Sequence, residues 1–154
     1  MAAPRLTLRS VRCRAVEVPM TYVLGTSAAA VRAAPLLLVD LETEEGVTGR
    51  TYLFCYTRAA ALPIKCMIED AASALAGAAL DPAAWWALLN KRYTLIGVQG
   101  IVRMAMAALD TACWDVLAIA AGVPLATMLG SAPKSIPAYN SCGLGLMAPS
   151  ALAD

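Results

Sequence analysis

Near residue 60 the spacing of the apolar residues changes, and this limits the chain to folds in which strands come first and helices follow. Val11, Cys13 and Ala15 alternate with Arg12 and Arg14, the two-residue period of a half-buried strand. Further on, Ile64, Met67, Ile68, Ala71, Ala72 and Leu75 fall at i, i+3, i+4, i+7, i+8 and i+11, which is one face of a helix. A run of strands followed by a run of helices indicates the α+β class.

The punctuation between these segments divides the first half into three strands. Residues 5–19 read as a strand closed by Pro19. Residues 20–33 carry Gly25, Thr26 and Ser27 with no clean period and read as a mobile loop. Residues 35–42, PLLLVDLE, are a strong strand, Glu44-Glu45-Gly46 supplies a tight turn, and residues 47–56 return. The expected sheet is a three-stranded antiparallel meander. The helices follow. The first begins near residue 60 with Pro63 in its first turn, the place where proline is tolerated, and loosens at Gly77. Asp81-Pro82 is an N-cap followed by proline at the first helical position, and this second helix runs to about Tyr93. A third spans about Ile101 to Ala121, ended by Gly122 and kept from continuing by Pro124. A short turn closes at Gly130, and residues 135–142, SIPAYNSC, are expected to open a new strand with no place in the first sheet. The expected division is one domain over 1–130 and the start of another over 131–154.

Composition removes several functions. Of 154 residues, 60% are hydrophobic, the formal charge is +1 and histidine is absent. So apolar a chain is not disordered, and near-neutrality gives no electrostatic footprint for nucleic acid or an anionic membrane. Without histidine there is no His-based triad, zinc site or imidazole switch. The longest uncharged runs are interrupted by glycine and proline, so no membrane span is expected. The N-terminal arginines alternate with apolar residues as in a strand, unlike a targeting helix. Cys13, Cys55, Cys66, Cys113 and Cys142 are odd in number and widely spaced, which fits free thiols in a reducing, cytoplasmic setting.

Few residues carry chemistry. Asp110 and Asp115 lie five apart on the third helix, about 140° beyond a full turn, so they do not share a face and cannot jointly hold one metal without help from elsewhere. Each is expected to pair with a basic group or cap another element. Asp40, Glu42, Glu44 and Glu45 read as a solvated hairpin, Trp85 and Trp86 as packing residues, and Ser141 and Cys142 lack a base. No complete active site is present.

Two segments nevertheless resemble a known family. Residues 14–57, RAVEVPMTYVLGTSAAAVRAAPLLLVDLETEEGVTGRTYLFCYT, and residues 101–130, IVRMAMAALDTACWDVLAIAAGVPLATMLG, are similar to the mandelate racemase/muconate lactonizing branch of the enolase superfamily, nearest mandelate racemase. In the second segment Ala105, Asp110, Ala112, Asp115, Gly122, Pro124-Leu125 and Leu129-Gly130 carry the pattern; SIPAYNS, 135–141, resembles the family's first barrel strand. The resemblance implies an α+β capping domain, a three-stranded meander followed by a helical bundle. After it comes the first strand of a (β/α)8 barrel that is otherwise missing. It implies proton abstraction α to a carboxylate with Mg²⁺ in the full-length parent, the metal ligands and catalytic bases lying in the barrel, so no catalytic or metal residue is carried over. It implies substrate-binding roles for Leu24 and Val31 in a closing flap, Tyr56 on the cap, and Ser141 at a barrel strand end. It also implies a small carboxylate substrate, the missing barrel as partner, and a homo-oligomer. Asn140 stands where the close relatives have an acid, Cys142 where they have a histidine, and Ala118-Ile119 where the family usually has Gly–Lys/Arg. These departures weaken any inference to mandelate itself. The expected function is the substrate-enclosing cap of a racemase or acid-sugar dehydratase, inactive alone; the competing reading is a stand-alone interaction module.

Overall fold

The computed structural model describes residues 5–25, 30–132 and 134–138. Three antiparallel strands, β1 (Leu8–Gly25), β2 (Ala30–Thr43) and β3 (Thr48–Phe54), form one sheet in the order β1-β2-β3. Four helices follow: α1 (Arg58–Leu75), α2 (Pro82–Arg92), α3 (Ile101–Ala121) and α4 (Leu125–Met128). The expected α+β order is therefore observed.

The sheet is two-sided because β2 alternates. Leu37, Val39, Leu41 and Thr43 are buried beneath the helices, while Asp40 and Glu42 face outward beside Leu38. The β2–β3 turn is held by Thr43, whose hydroxyl donates to the Val47 carbonyl at 2.9 Å and accepts from the Val47 N–H at 3.0 Å. Gly46 sits at φ 83°, as the turn requires. The acidic hairpin is paired: Arg12 lies against Asp40 and Glu42, and the Ser10 hydroxyl donates to Glu42 at 2.7 Å. Those contacts, the Ser10 bond first, hold the Glu42 carboxyl below its ordinary pKa.

Three boundaries differ from expectation. β1 does not stop at Pro19; it continues to Gly25, and β2 begins at Ala30, so the segment expected to be a loop is largely a projecting hairpin. Alternating apolar and small residues pair when a partner strand is adjacent, whatever their local propensity. Helix α1 starts earlier than expected, at Arg58, because Thr57 caps it by accepting the Ala59 N–H. Pro63 thus lies beyond the first turn; it is exposed, so the carbonyl it leaves unbonded can face water. Of the strand expected at 135–142, residues 134–138 are exposed and unpaired, and 139–142 lie outside the described residues.

The other helix signals act as read. Asp81 accepts the Ala84 N–H at 2.9 Å, Pro82 opens α2, and Gly122 closes α3 in the left-handed region at φ 66°. Helix α3 is long and apolar enough to cross a membrane by length and composition. Here it is the core helix: Val102, Ala105, Met106, Ala108, Leu109, Ala112, Cys113, Val116 and Ala118 are buried, and it packs on β3 and α1. The Trp85 indole is buried and donates to the Ala79 carbonyl at 3.0 Å, while Arg103 stacks over Trp86 at 4.9 Å. Both tryptophans are packing residues.

Asp70 of α1 ties α2 in place. It accepts two bonds from Arg92, at 2.9 and 2.8 Å, and one from the Tyr93 hydroxyl at 2.7 Å. The Arg92 bonds, then the Tyr93 bond, lower the Asp70 pKa from 3.8. A depressed carboxylate pKa contributes stability that is present above the unfolded value and lost as pH falls through the folded one. Asp70→Asn is therefore expected to lower the urea midpoint at pH 7. The difference from wild type is expected to shrink below about pH 4; an undiminished difference at pH 2.5 would show that packing, not charge, is responsible.

Candidate functional site

The described candidate residues gather at one end of the sheet, where β1 and β2 run past the end of β3. Pairing between β2 and β3 stops at Leu36–Phe54, followed by a Cys55 N–H bond to the Pro35 carbonyl at 2.8 Å. Beyond it only β1 and β2 continue, and Leu24 pairs directly with Val31 near the tip. Leu24 is 41% exposed and Val31 is half-buried. Directly opposed residues in an antiparallel pair project on the same side, so the two expected flap residues form one apolar element.

Tyr56 occupies the adjoining corner, where β3 turns into α1. The Thr57 N–H bonds back to the Cys55 carbonyl at 2.6 Å, and Tyr56, between them, has φ 60°. It is the single non-glycine residue with positive φ among the described residues. Such a three-residue turn is strained, and strain of this kind gathers where a side chain must be aimed. The ring is 73% exposed and meets Phe54 edge-on, centroids 5.0 Å apart and planes 82° apart. Sequence reasoning missed Phe54. No local signal marks it, because its contact with Tyr56 is made across the turn that ends β3. Ser141 lies outside the described residues.

The described carboxylates and thiols are engaged in packing and capping. The Arg50 N–H donates to Asp115 at 2.8 Å, so this carboxylate closes the outer edge of β3, as a capping role predicts. Asp110 is half-buried, and desolvation raises its pKa. Burial also pushes the Cys13 thiol up to about 11 and the Cys113 thiol up to about 12, and it raises Cys55, so these sulfurs stay protonated at neutral pH. Among the described residues no three His, Cys, Asp or Glu side chains converge as metal ligands. The described residues do not fit a magnesium ion. What the geometry offers is an apolar pair, Leu24 and Val31, on a projecting hairpin and an aromatic corner, Phe54 with Tyr56, both at the same sheet end.

The family model for the mandelate racemase/muconate lactonizing enzyme N-terminal domain matches residues 8–130. An enolase from Bradyrhizobium, solved with magnesium and mandelic acid, is 40% identical with a TM-score of 0.83, over 90% of this chain and 38% of that one. An enolase from the alphaproteobacterium bal199, with bound magnesium, is 38% identical with a TM-score of 0.88, over 96% of this chain and 41% of that one. The L-talarate dehydratase of Polaromonas sp. JS666, with magnesium and L-glucarate, is 26% identical with a TM-score of 0.66, over 86% of this chain and 36% of that one. The chain thus spans about two fifths of the length of these relatives. From the sheet-then-helix order, the register and the matched residues together, the chain belongs to the mandelate racemase/muconate lactonizing enzyme family, of which it carries the N-terminal domain.

Proposed function

We propose that this chain is the substrate-enclosing cap of a magnesium-dependent enzyme that abstracts the α-proton of a small 2-hydroxy carboxylate, leading to racemisation or dehydration. The observation that carries this reading is the hairpin beyond β3, where Leu24 and Val31 stand opposite each other at the same sheet end as Tyr56. An apolar wall of this kind excludes water from a reacting carbanion and contacts the non-reacting part of the substrate. The family resemblance gives Ser141 the role of binding the substrate carboxylate. The cap covers 1–130, closed by Gly130 at φ 84°, and 131–154 begins the barrel. Metal ligands and bases belong to the portion of the relatives' length that this chain does not span. The relatives' bound mandelic acid and glucarate support a carboxylate substrate. Free Cys13, Cys55, Cys66 and Cys113 support a cytoplasmic setting, and the exposed apolar residues Val18, Leu38 and Tyr52 on the open face of the sheet support a homo-oligomer.

The test is α-proton exchange on mandelate in deuterated water with Mg²⁺. The chain alone is expected to show no exchange above background. Residues 1–130 grafted in place of the cap of the Bradyrhizobium relative are expected to support exchange, and Leu24→Ala with Val31→Ala in that graft to lower kcat/KM by about tenfold or more. Exchange by the isolated chain at the rate of the graft would overturn the cap reading. So would a graft indifferent to both substitutions.

A further inference from the structure

The two outer edges of the sheet differ. On β3, the Asp115 carboxylate of α3 accepts the Arg50 N–H. On β1, the outer edge is filled at its beginning. The Leu80 N–H donates to the Leu6 carbonyl at 2.8 Å, the Leu8 N–H to the Ala78 carbonyl at 2.9 Å and the Gly77 N–H to the Leu8 carbonyl at 3.0 Å. The link between α1 and α2 thus adds to this edge as a short antiparallel segment, with Thr7 opposite Ala79. From Val11 to Glu17 the same edge has no backbone partner among the described residues. An edge strand turns a row of N–H and C=O groups away from its sheet, ready to pair with another chain.

A groove follows this open stretch, with β1 as one wall and α1 as the other. Arg58 at the start of α1 pairs with Glu17 at 3.6 Å, and Gly77 just past its end bonds Leu8, so strand and helix run in opposite directions. Between these points one cleft of about 510 Å³ is lined by Val11, Cys13, Arg14 and Glu69, and the next, of about 300 Å³, by Ala15, Glu17, Ala61 and Leu62. Leu62 is 63% exposed. The open stretch is long enough for one added strand of ordinary length.

The pattern along β1 specifies the occupant. Directly opposed residues of paired strands share a face. Arg12 and Arg14 stand opposite Asp40 and Leu38 on the open face, while Cys13 and Ala15 stand opposite Val39 and Leu37 on the helix face. Arg12 already holds Asp40 and Glu42, whereas Arg14 has no ion pair among the described residues. A second copy of β1 does not fit. Its sole acid, Glu17, lies on the face opposite both arginines, so no register of a β1–β1 pair sets an acid against an arginine.

We propose that the outer edge of β1 from Val11 to Glu17 is a docking groove for an extended segment of a different protein, in which acidic residues alternate with apolar ones. The segment adds as a fourth strand. Its carboxylates lie on the open face against Arg14, and its apolar side chains lie against Cys13, Ala15 and Leu62. Backbone bonds to the edge give affinity, and Arg14, which repels basic strands, gives selection.

The probe is the end-blocked peptide Glu-Val-Glu-Val-Glu-Val, titrated into the isotope-labelled 154-residue chain, with Lys-Val-Lys-Val-Lys-Val for comparison. The acidic peptide is expected to shift the amides of Val11 to Glu17 and to slow hydrogen exchange at alternate ones, with Thr48 to Phe54 unchanged. It is expected to bind about tenfold or more tightly than the basic peptide. Arg14→Glu, at an exposed position that leaves the Arg12 pairs intact, is expected to reverse that preference. Equal binding of the two peptides, an unreversed preference, or no shift at about 1 mM peptide would overturn the groove. So would shifts confined to Leu38 and Tyr52, which would put the peptide on the sheet face. Protection of β1 that grows with chain concentration in the absence of peptide would overturn it too, by making the occupant a second copy. None of these readouts depends on turnover, so the groove and the cap reading fail separately.

Discussion

Gly49→Ala is expected to destabilise the domain by about 3 kcal/mol or more, at or beyond the upper end of overpacking effects. Gly49 lies on β3 opposite Leu41, on the face against which α3 packs. A methyl group there would collide with the Ala112 carbonyl oxygen and the Val116 side chain, and would stand 2.8 Å from the Val116 nitrogen. Two of these obstacles are helix backbone, which cannot swing aside as a side-chain end can. The helix would have to lift from the sheet along its most buried stretch, Ala105 to Val116, and from the Asp115 bond to Arg50 next to the contact. Against a total stability of about 5–15 kcal/mol, that is a large fraction. Urea denaturation measures it. Gly46→Ala is the control: φ is 83° but the surrounding space is open, so a cost of about 1–2 kcal/mol is expected from backbone strain alone. A Gly49→Ala midpoint equal to that of wild type would mean that α3 does not sit this close to β3.

The same contact marks a limit of what sequence can reveal. Gly49 reads locally as one more small residue in a strand; the helix residues it admits, Ala112 and Val116, lie more than sixty residues away. Local signals were legible where the chemistry is local. Asp81-Pro82 announces α2 through its own cap, Gly122 and Pro124 end α3, and the alternation from Leu37 to Thr43 identifies the buried face of β2. They failed where a partner decides. Leu24–Gly25 and Ala30–Val31 lie in segments with no period of their own, yet they pair because each provides the other's ladder. The site follows the same division. Leu24, Val31 and Tyr56 were reachable only through family resemblance, since leucine, valine and tyrosine carry no chemical signature. The left-handed backbone of Tyr56 and its edge-on contact with Phe54 depend on three-dimensional packing.

Adjacent residues on β2 are expected to respond in opposite ways to the same substitution. Leu37 is fully buried, and Leu37→Ala is expected to cost about 2–5 kcal/mol through lost transfer energy and the cavity left beneath α1 and α3. Leu38 is 40% exposed on the open face, opposite Arg14 on one side and Tyr52 on the other. Within a single copy, Leu38→Ala is expected to cost less than about 1 kcal/mol. Its larger consequence lies in association. Leu38, Tyr52 and Val18 form an exposed apolar stretch on a sheet whose other face is already committed to helices, and such stretches are costly to leave in water. If copies of the chain cover it, as the proposed homo-oligomer requires, Leu38→Ala weakens self-association, with each 1.4 kcal/mol lost at the contact raising the dissociation constant about tenfold. Sedimentation of wild type and variant over a range of concentrations decides this. A wild-type chain that stays monomeric throughout would remove the open face as an interface between copies. The Leu37 result would stand regardless, because it depends only on packing within one copy.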